Sequence, residues 1–458
     1  MKSFLITVCS FCYISVFAQP EKNIEKSITT FLKDPQFSNA TVALKVIDAA
    51  SGKNIFSYNE NTGVVPASSL KVITSVAAYE LLGNDFKYNT GFEIYRTPEN
   101  VINLIFKGSG DPTFGSDRFK GFSRNEILQR IVQKLKSLNI KQVDNIFIDD
   151  TIFGFQPVPN GWTYEDIGNY FGAGAWGFNW NENIYDVFYD VSKNENEEAF
   201  INYTDPAFIQ EKIRNFVTVG GTGDNSIIYS SPFNDVIFIK GTLAKGKSLY
   251  KISGSLPLPA EAFCYELKNV LSTQNIPVLN FYNLSLMSYS PSYNNIGELI
   301  AVDSFLSPSF DTMNKFFLQK SINLYGESFV KSIGLKFNSE NGIEKIKDYF
   351  KNIGIKESEI NMIDGSGLSP SNRITASSLV KVLKYAKTTK WFPSFYNSLP
   401  TINYIKMKSG YIGGVRSYTG YLKSRSGEEY IFAFIVNNFS GSSITVKEKM
   451  FRLLDELK

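Results

Sequence analysis

The stretch Pro66-Ala67-Ser68-Ser69-Leu70-Lys71 sets a hydroxyl and an amine three positions apart, just ahead of an apolar run from Val72 to Leu82 that stops at Gly83. The pattern predicts a helix, and residues three apart on a helix share a face. A serine hydroxyl becomes a nucleophile when a base takes its proton. The chain contains no histidine, so a Ser-His-Asp triad is excluded and Lys71 is the best remaining base, provided its pKa falls. Two influences can lower it: the positive end of the helix dipole and a second cation close by.

Two distant stretches offer the missing groups. In Lys320-Ser321-Ile322-Asn323-Leu324-Tyr325-Gly326-Glu327, Ser321 and Asn323 fall on a turn entering a helix. A second hydroxyl can pass a proton to a leaving amine, and an amide can orient the lysine; taken alone, the same residues would simply cap a helix. In Lys406-Met407-Lys408-Ser409-Gly410-Tyr411-Ile412-Gly413-Gly414, a cation, a hydroxyl and a glycine stand in a row. In a strand Lys408 and Gly410 face one side, and Gly410 lets a substrate backbone lie close. Lys408 is the candidate second cation; the plain alternative is an edge strand guarded by lysines.

These groups need a scaffold. Thr41 to Asp48 alternates like a strand, Ala49 to Asn54 is turn chemistry, and Ile55 to Tyr58 returns as a second strand. Ile24 to Leu32 has helical spacing. From about Lys87 short β-like runs dominate (Thr90–Tyr95, Val101–Phe106, Val143–Ile148, Ser226–Tyr229, Val236–Ile239), interrupted by one helix, Arg124 to Leu138. Aromatics crowd 162–180, which we read as core and interdomain seam in preference to a sugar-binding surface. From about Ile296 a mixed rhythm returns, with helices over Phe310–Gln319, Leu324–Ile333, Gly342–Asn352 and Ala376–Lys387, a hairpin through Gly420–Ser424 and Tyr430–Val436, and a last helix over Val446–Leu457. The fold class is mixed α/β (α+β). Residues 19–87 and 291–458 form one split domain, and 88–290 are an inserted β-rich region.

The chain has 458 residues, 43% of them hydrophobic, and a net charge of +3 with both signs interspersed. This argues against a nucleic-acid partner and leaves peripheral membrane contact open. Without histidine few soft ligands remain for zinc, and the serine chemistry above requires no cofactor. Residues 1–18 read as a secretory signal peptide: Lys2, an apolar run from Phe4 to Phe17, and small residues ending at Ala18. Cys9 and Cys12 would leave with it, so the mature chain keeps Cys264 and no intrachain disulfide. The expected location is the periplasm or cell envelope.

Ser-x-x-Lys, Ser-x-Asn and Lys-Ser/Thr-Gly, in that order, form the signature of penicillin-interacting serine enzymes. The chain resembles the D-alanyl-D-alanine carboxypeptidase/endopeptidase family, the class C penicillin-binding proteins. Further matches are Met313-Asn314-Lys315, Asp364-Gly365-Ser366-Gly367-Leu368-Ser369 with Asn372-Arg373-Ile374-Thr375, Gly108-Ser109-Gly110-Asp111-Pro112-Thr113, and the long insertion itself. The resemblance covers nearly the whole mature chain. It implies a β-lactamase/transpeptidase-like domain with an antiparallel sheet and flanking helices. It also implies catalytic Ser68, Lys71, Ser321, Asn323 and Lys408, with Ser409, Gly410 and Tyr411 contacting substrate. The implied reaction is cleavage of D-Ala-D-Ala or of D,D-crosslinks in peptidoglycan stem peptides, with β-lactams as covalent inhibitors. Three departures stand out: Ser409 where threonine is commoner, Gly326 for alanine, and Tyr411 and Arg416 for smaller residues. A β-lactamase and a non-catalytic cell-wall binding protein are the alternatives on the same fold.

Overall fold

The computed structural model describes residues 20–246, 248–287 and 297–458; the signal-peptide reading of 1–18 lies outside them. Six antiparallel strands form the central sheet, in the spatial order Thr401–Ile402, Ile405–Ile412, Val415–Lys423, Glu429–Asn437, Thr41–Asp48 and Asn54–Tyr58. Thr41 lies opposite Asn437 and Asp48 opposite Tyr430, so early and late segments share the middle of one sheet.

The run Tyr430-Ile431-Phe432-Ala433-Phe434-Ile435-Val436 has no buried-polar alternation because both of its faces are covered. Ile431, Ala433 and Ile435 pack into a cluster with the helix Lys71–Leu81 and the helices Phe310–Gln319, Asn323–Lys336 and Ala376–Ala386. Phe432, Phe434 and Val436 pack on the opposite side with the helices Pro20–Leu32 and Ser443–Asp455. The expected helices in this half are present, with ends shifted by a few residues.

Between Tyr88 and Ser307 the chain builds a second body. Its five-stranded sheet runs Val278–Asn283, Val143–Asp149, Ile102–Lys107, Asn89–Arg96, Glu298–Leu306. Asn89 pairs with Leu306, which sets the entry and exit of this segment side by side. The boundary expected at 290/291 lies outside the described residues, and the Glu298–Leu306 strand belongs to this second sheet; the central domain resumes only after it. Alternation tells which face of a strand is buried but not which neighbour it chooses.

Two three-stranded sheets complete the segment, as does a helix the spacing does not announce, Pro259–Thr273. Its signal was Pro259 at the first helical position. Phe263 on this helix packs edge-on against Phe106 and Trp180. The aromatic stretch divides: Trp162, Trp176, Phe178 and Trp180 are buried, while Tyr164 and Tyr170 remain more than half exposed. Cys264 is buried and unpaired.

Phe434 is fully buried at the centre of the sheet. Phe434→Ala is expected to cost about 3–5 kcal/mol, read as a lowered urea midpoint with an unchanged slope.

Candidate active site

Ser68 lies in a short 3-10 turn, Ala67–Leu70, and the α-helix begins only at Lys71. The tighter winding eclipses residues i and i+3, which brings Lys71 Nζ to 3.0 Å from Ser68 Oγ. Ala67 adopts a left-handed φ of 47°, a conformation that costs a non-glycine residue about 1–3 kcal/mol unless its surroundings impose it. They do. Ser417 Oγ and Ser69 Oγ donate to the Pro66 carbonyl at 2.5 and 2.8 Å. The Asn437 amide brackets Val65, accepting from its N–H at 2.7 Å and donating to its carbonyl at 3.0 Å. Within the helix, Thr74 donates to the Gly365 carbonyl and Ser75 to Asn314 Oδ1, at 2.6 and 2.7 Å.

Lys71 is completely buried. Besides Ser68, its Nζ contacts Asn323 Oδ1 at 2.6 Å and the Ser366 carbonyl at 2.7 Å. Burial lowers its pKa most, the Lys408 cation lowers it further, and the Asp364 and Glu327 carboxylates oppose both. Dehydration is the largest of these influences, and the second cation expected from the sequence is among them. Asn323 stands at the start of the helix Asn323–Lys336, and its Nδ2 donates to the Phe171 carbonyl at 2.7 Å. That bond fixes which end of the amide meets Lys71.

The Ser366 carbonyl is held by the loop around it. Asp364 accepts from the N–H groups of Gly367 and Ser369 at 2.7 and 2.6 Å, from Asn372 Nδ2 at 2.9 Å and from Trp162 Nε1 at 2.8 Å. Glu327 accepts from the Gly365 N–H at 3.0 Å; burial and the Asp364 carboxylate raise its pKa. Gly367 has a φ of 81°, and a Cβ there would sit 2.0 Å from the Ala67 carbonyl oxygen.

Lys408 and Ser321 meet on the other side. Lys408 Nζ donates to Ser321 Oγ at 3.0 Å and to the Ser409 carbonyl at 2.9 Å. Lys408 is buried, and burial pushes its pKa down to about 7. Ser321 has a φ of 58°. The Ser409 hydroxyl makes no hydrogen bond among the described residues. Gly410 has a reason other than the one inferred from sequence: a Cβ would fall 2.6 Å from the Pro66 carbonyl oxygen and 2.9 Å from the Ser68 nitrogen. The close backbone it admits is that of the Ser68 turn. Tyr411 is exposed, and the Arg416 guanidinium lies 4.6 Å from its ring centre, beside Ser443.

All eight candidate residues thus lie on three segments that converge on one place. Phe171, Asp364, Glu327 and the Ser366 carbonyl also belong there. The Asp364–Ser369 run is visible as a motif, but its task is not. The Phe171 carbonyl leaves no trace in residue type, because every residue carries one.

Gly410→Ala is expected to displace the Ser68 turn while leaving the sheet intact. The circular dichroism spectrum should be unchanged and the acylation rate by a fluorescent penicillin should fall at least about tenfold, the effect of a small misplacement of reacting atoms.

Comparisons with known proteins agree on a family. The model of the D-Ala-D-Ala carboxypeptidase 3 (S13) family matches residues 24–403. A D-alanyl-D-alanine carboxypeptidase from an Actinomadura species is 23% identical over 91% of this chain and 81% of its own length. The D-alanyl-D-alanine carboxypeptidase DacB of Haemophilus influenzae is 25% identical over 91% of this chain and 89% of its own. The crystal structure of penicillin binding protein 4 from Haemophilus influenzae superposes with a TM-score of 0.77 at 20% identity, covering 95% of this chain and 98% of that one. The chain belongs to the D-Ala-D-Ala carboxypeptidase 3 (S13) family of serine peptidases.

Proposed function

We propose that this chain is a D,D-peptidase that cleaves the terminal D-Ala-D-Ala bond, or the equivalent bond of a crosslink, in peptidoglycan stem peptides through a Ser68 ester. The observation that carries this reading is the set of contacts around Lys71. A neutral amine has two N–H donors and one lone pair. Asn323 Oδ1 and the Ser366 carbonyl can only accept, so they take the two donors. The lone pair is left for the Ser68 hydroxyl, 3.0 Å away.

Ser68 gives its proton to Lys71 and its oxygen attacks the carbonyl of the penultimate D-alanine. The N–H groups of Ser68 and Tyr411 hold the resulting oxyanion; losing one such donor typically costs about 2.7–4 kcal/mol. The proton passes from Lys71 through Ser321 to the departing nitrogen as the C–N bond breaks. Lys408 and the Ser409 hydroxyl hold the substrate's terminal carboxylate. A water then gives its proton to Lys71 and attacks the ester, and Ser68 is restored. A β-lactam offers the same carboxylate and acyl carbon in a ring, so it acylates Ser68 as well. Relatives carry names in keeping with this, among them a penicillin-sensitive carboxypeptidase A from Dictyostelium discoideum, and a structure of the Haemophilus influenzae penicillin binding protein 4 contains a β-lactam.

The same reading takes the segment between Tyr88 and Ser307 as a region inserted into the catalytic domain. It places the mature enzyme in the periplasm or cell envelope, on the strength of Lys2, the apolar run to Phe17 and Ala18. Among the described residues no helix is long and apolar enough to cross a membrane.

Ser68→Ala is expected to abolish both release of D-alanine from a pentapeptide and labelling by a fluorescent penicillin; retained labelling sinks the assignment. The pH profile supplies a second check. In the free enzyme kcat/KM should rise as Lys71 loses its proton and fall near pH 7 as Lys408 loses its own. A bound carboxylate favours protonated Lys408, so the falling limb of kcat should lie at higher pH than that of kcat/KM. Lys408→Arg, which keeps its charge, should remove the falling limb; an unchanged limb would exclude Lys408 as its source.

A further inference from the structure

A cleft of about 530 Å³ opens in the inserted segment, lined by Ser116, Arg118, Tyr170, Glu182, Asp186 and Lys251 among others. Four of its five charged side chains are paired with one another, Asp117 being the fifth. Arg118 Nε meets both Glu182 oxygens at 2.9 and 3.0 Å, and Glu182 also accepts from Ser116 Oγ at 2.9 Å. Asp186 accepts from Lys251 at 2.8 Å and from Ser253 Oγ at 2.5 Å. Such pairs hold donors and acceptors in fixed directions and offer little net field to a charged ligand. Beside them Tyr170 presents an aromatic ring that is 56% exposed. One apolar plate flanked by oriented polar groups suits an uncharged polyhydroxylated ring, which is apolar on its faces and polar around its edge.

The wall of this cleft is built under strain. Asn181, Glu182 and Asn183 are three consecutive residues with φ of 52, 53 and 56°, each costing roughly 1–2 kcal/mol relative to the right-handed form. Asn183 secures them: its Oδ1 accepts from the Trp180 N–H at 3.0 Å, and its Nδ2 donates to Asn179 Oδ1 at 2.6 Å. Strain of this kind, over-determined by its neighbours, collects at binding sites. The cleft is also joined to the reacting centre at two points. Tyr170 precedes Phe171, whose carbonyl orients the Asn323 amide. Glu182 accepts from Tyr325 Oη at 2.7 Å, two residues beyond Asn323 on the same helix.

We propose that this cleft is a saccharide subsite that takes the N-acylated sugars of the glycan strand next to the stem peptide being cut, with Tyr170 as the stacking plate. The assignment deepens the peptidase reading above and rests on it for the identity of the glycan. Sugar binding adds to substrate affinity and, through Phe171 and Tyr325, rests against the helix that carries Asn323.

The test uses the full-length enzyme and a peptide-free tetramer of β-1,4-linked N-acetylglucosamine, followed by calorimetry. Saturable binding is expected, weakened about tenfold in Tyr170→Ala and in Ser253→Trp, which fills the cleft. In parallel, kcat/KM is compared for a stem peptide with and without its disaccharide. The disaccharide should raise kcat/KM in the wild type, and both variants should erase that advantage while leaving the free peptide's value and penicillin labelling unchanged, which also shows that they fold. No saturable binding, equal binding in both variants, or displacement of the tetramer by the free peptide overturns the proposal. If the tetramer binds but the free peptide is never hydrolysed, the peptidase reading fails while the saccharide site stands.

Discussion

A lysine amine sealed from water governs the architecture around it. An ammonium ion in a dry interior is costly, and a buried lysine answers by giving up its proton. Lys71 has no exposed surface, so folding itself lowers the pKa of its amine. The sealing is done by four parts of the chain: the 3-10 turn, the Asn323 helix, the Asp364 loop and the Lys408 strand. None of them is adjacent to another in sequence. Each contributes an oxygen, a cation or bulk, and the amine is sealed only when all are seated.

The carboxylates near Lys71 look at first like an obstacle, since negative charge favours an ammonium. Asp364 is spent on four N–H donors. Glu327 is turned to the Gly365 N–H, and its own pKa is pushed upward. Neither forms an ion pair with Lys71. Their work is to fix a loop whose carbonyl points at the amine, so that electrostatic opposition is accepted in exchange for geometry. Two backbone strains, at Ala67 and Ser321, lie on segments that meet at the same site.

Much of this is legible in the residues alone. Ser68 and Lys71 follow from spacing, because an eclipsed or helical turn leaves only one relative placement. Ser321, Asn323 and Lys408 follow from type and order once histidine is seen to be absent. The strands and helices of the central domain follow from period, and the seven-residue apolar run ending at Val436 marks a strand covered on both faces. Other features leave no such mark. The Glu298–Leu306 strand is one: its partner is set by a residue pairing more than two hundred positions away. Gly410 is visible as a glycine, but whether it makes room for a ligand or for Pro66 depends on tertiary approach. The Phe171 carbonyl is invisible in principle.

The pairing of Thr41–Asp48 with Glu429–Asn437 has a consequence in time. A chain emerging from its N-terminus exposes Ser68 and Lys71 early, but the strand bearing Lys408 and the strand behind it come almost last. The intervening segment begins and ends on neighbouring strands and has its own apolar centre, so it can condense as a unit while it waits. The long loop that remains to be closed makes the final docking slow relative to local structure. Hydrolytic power against the wall is therefore withheld from every unfinished copy of the chain.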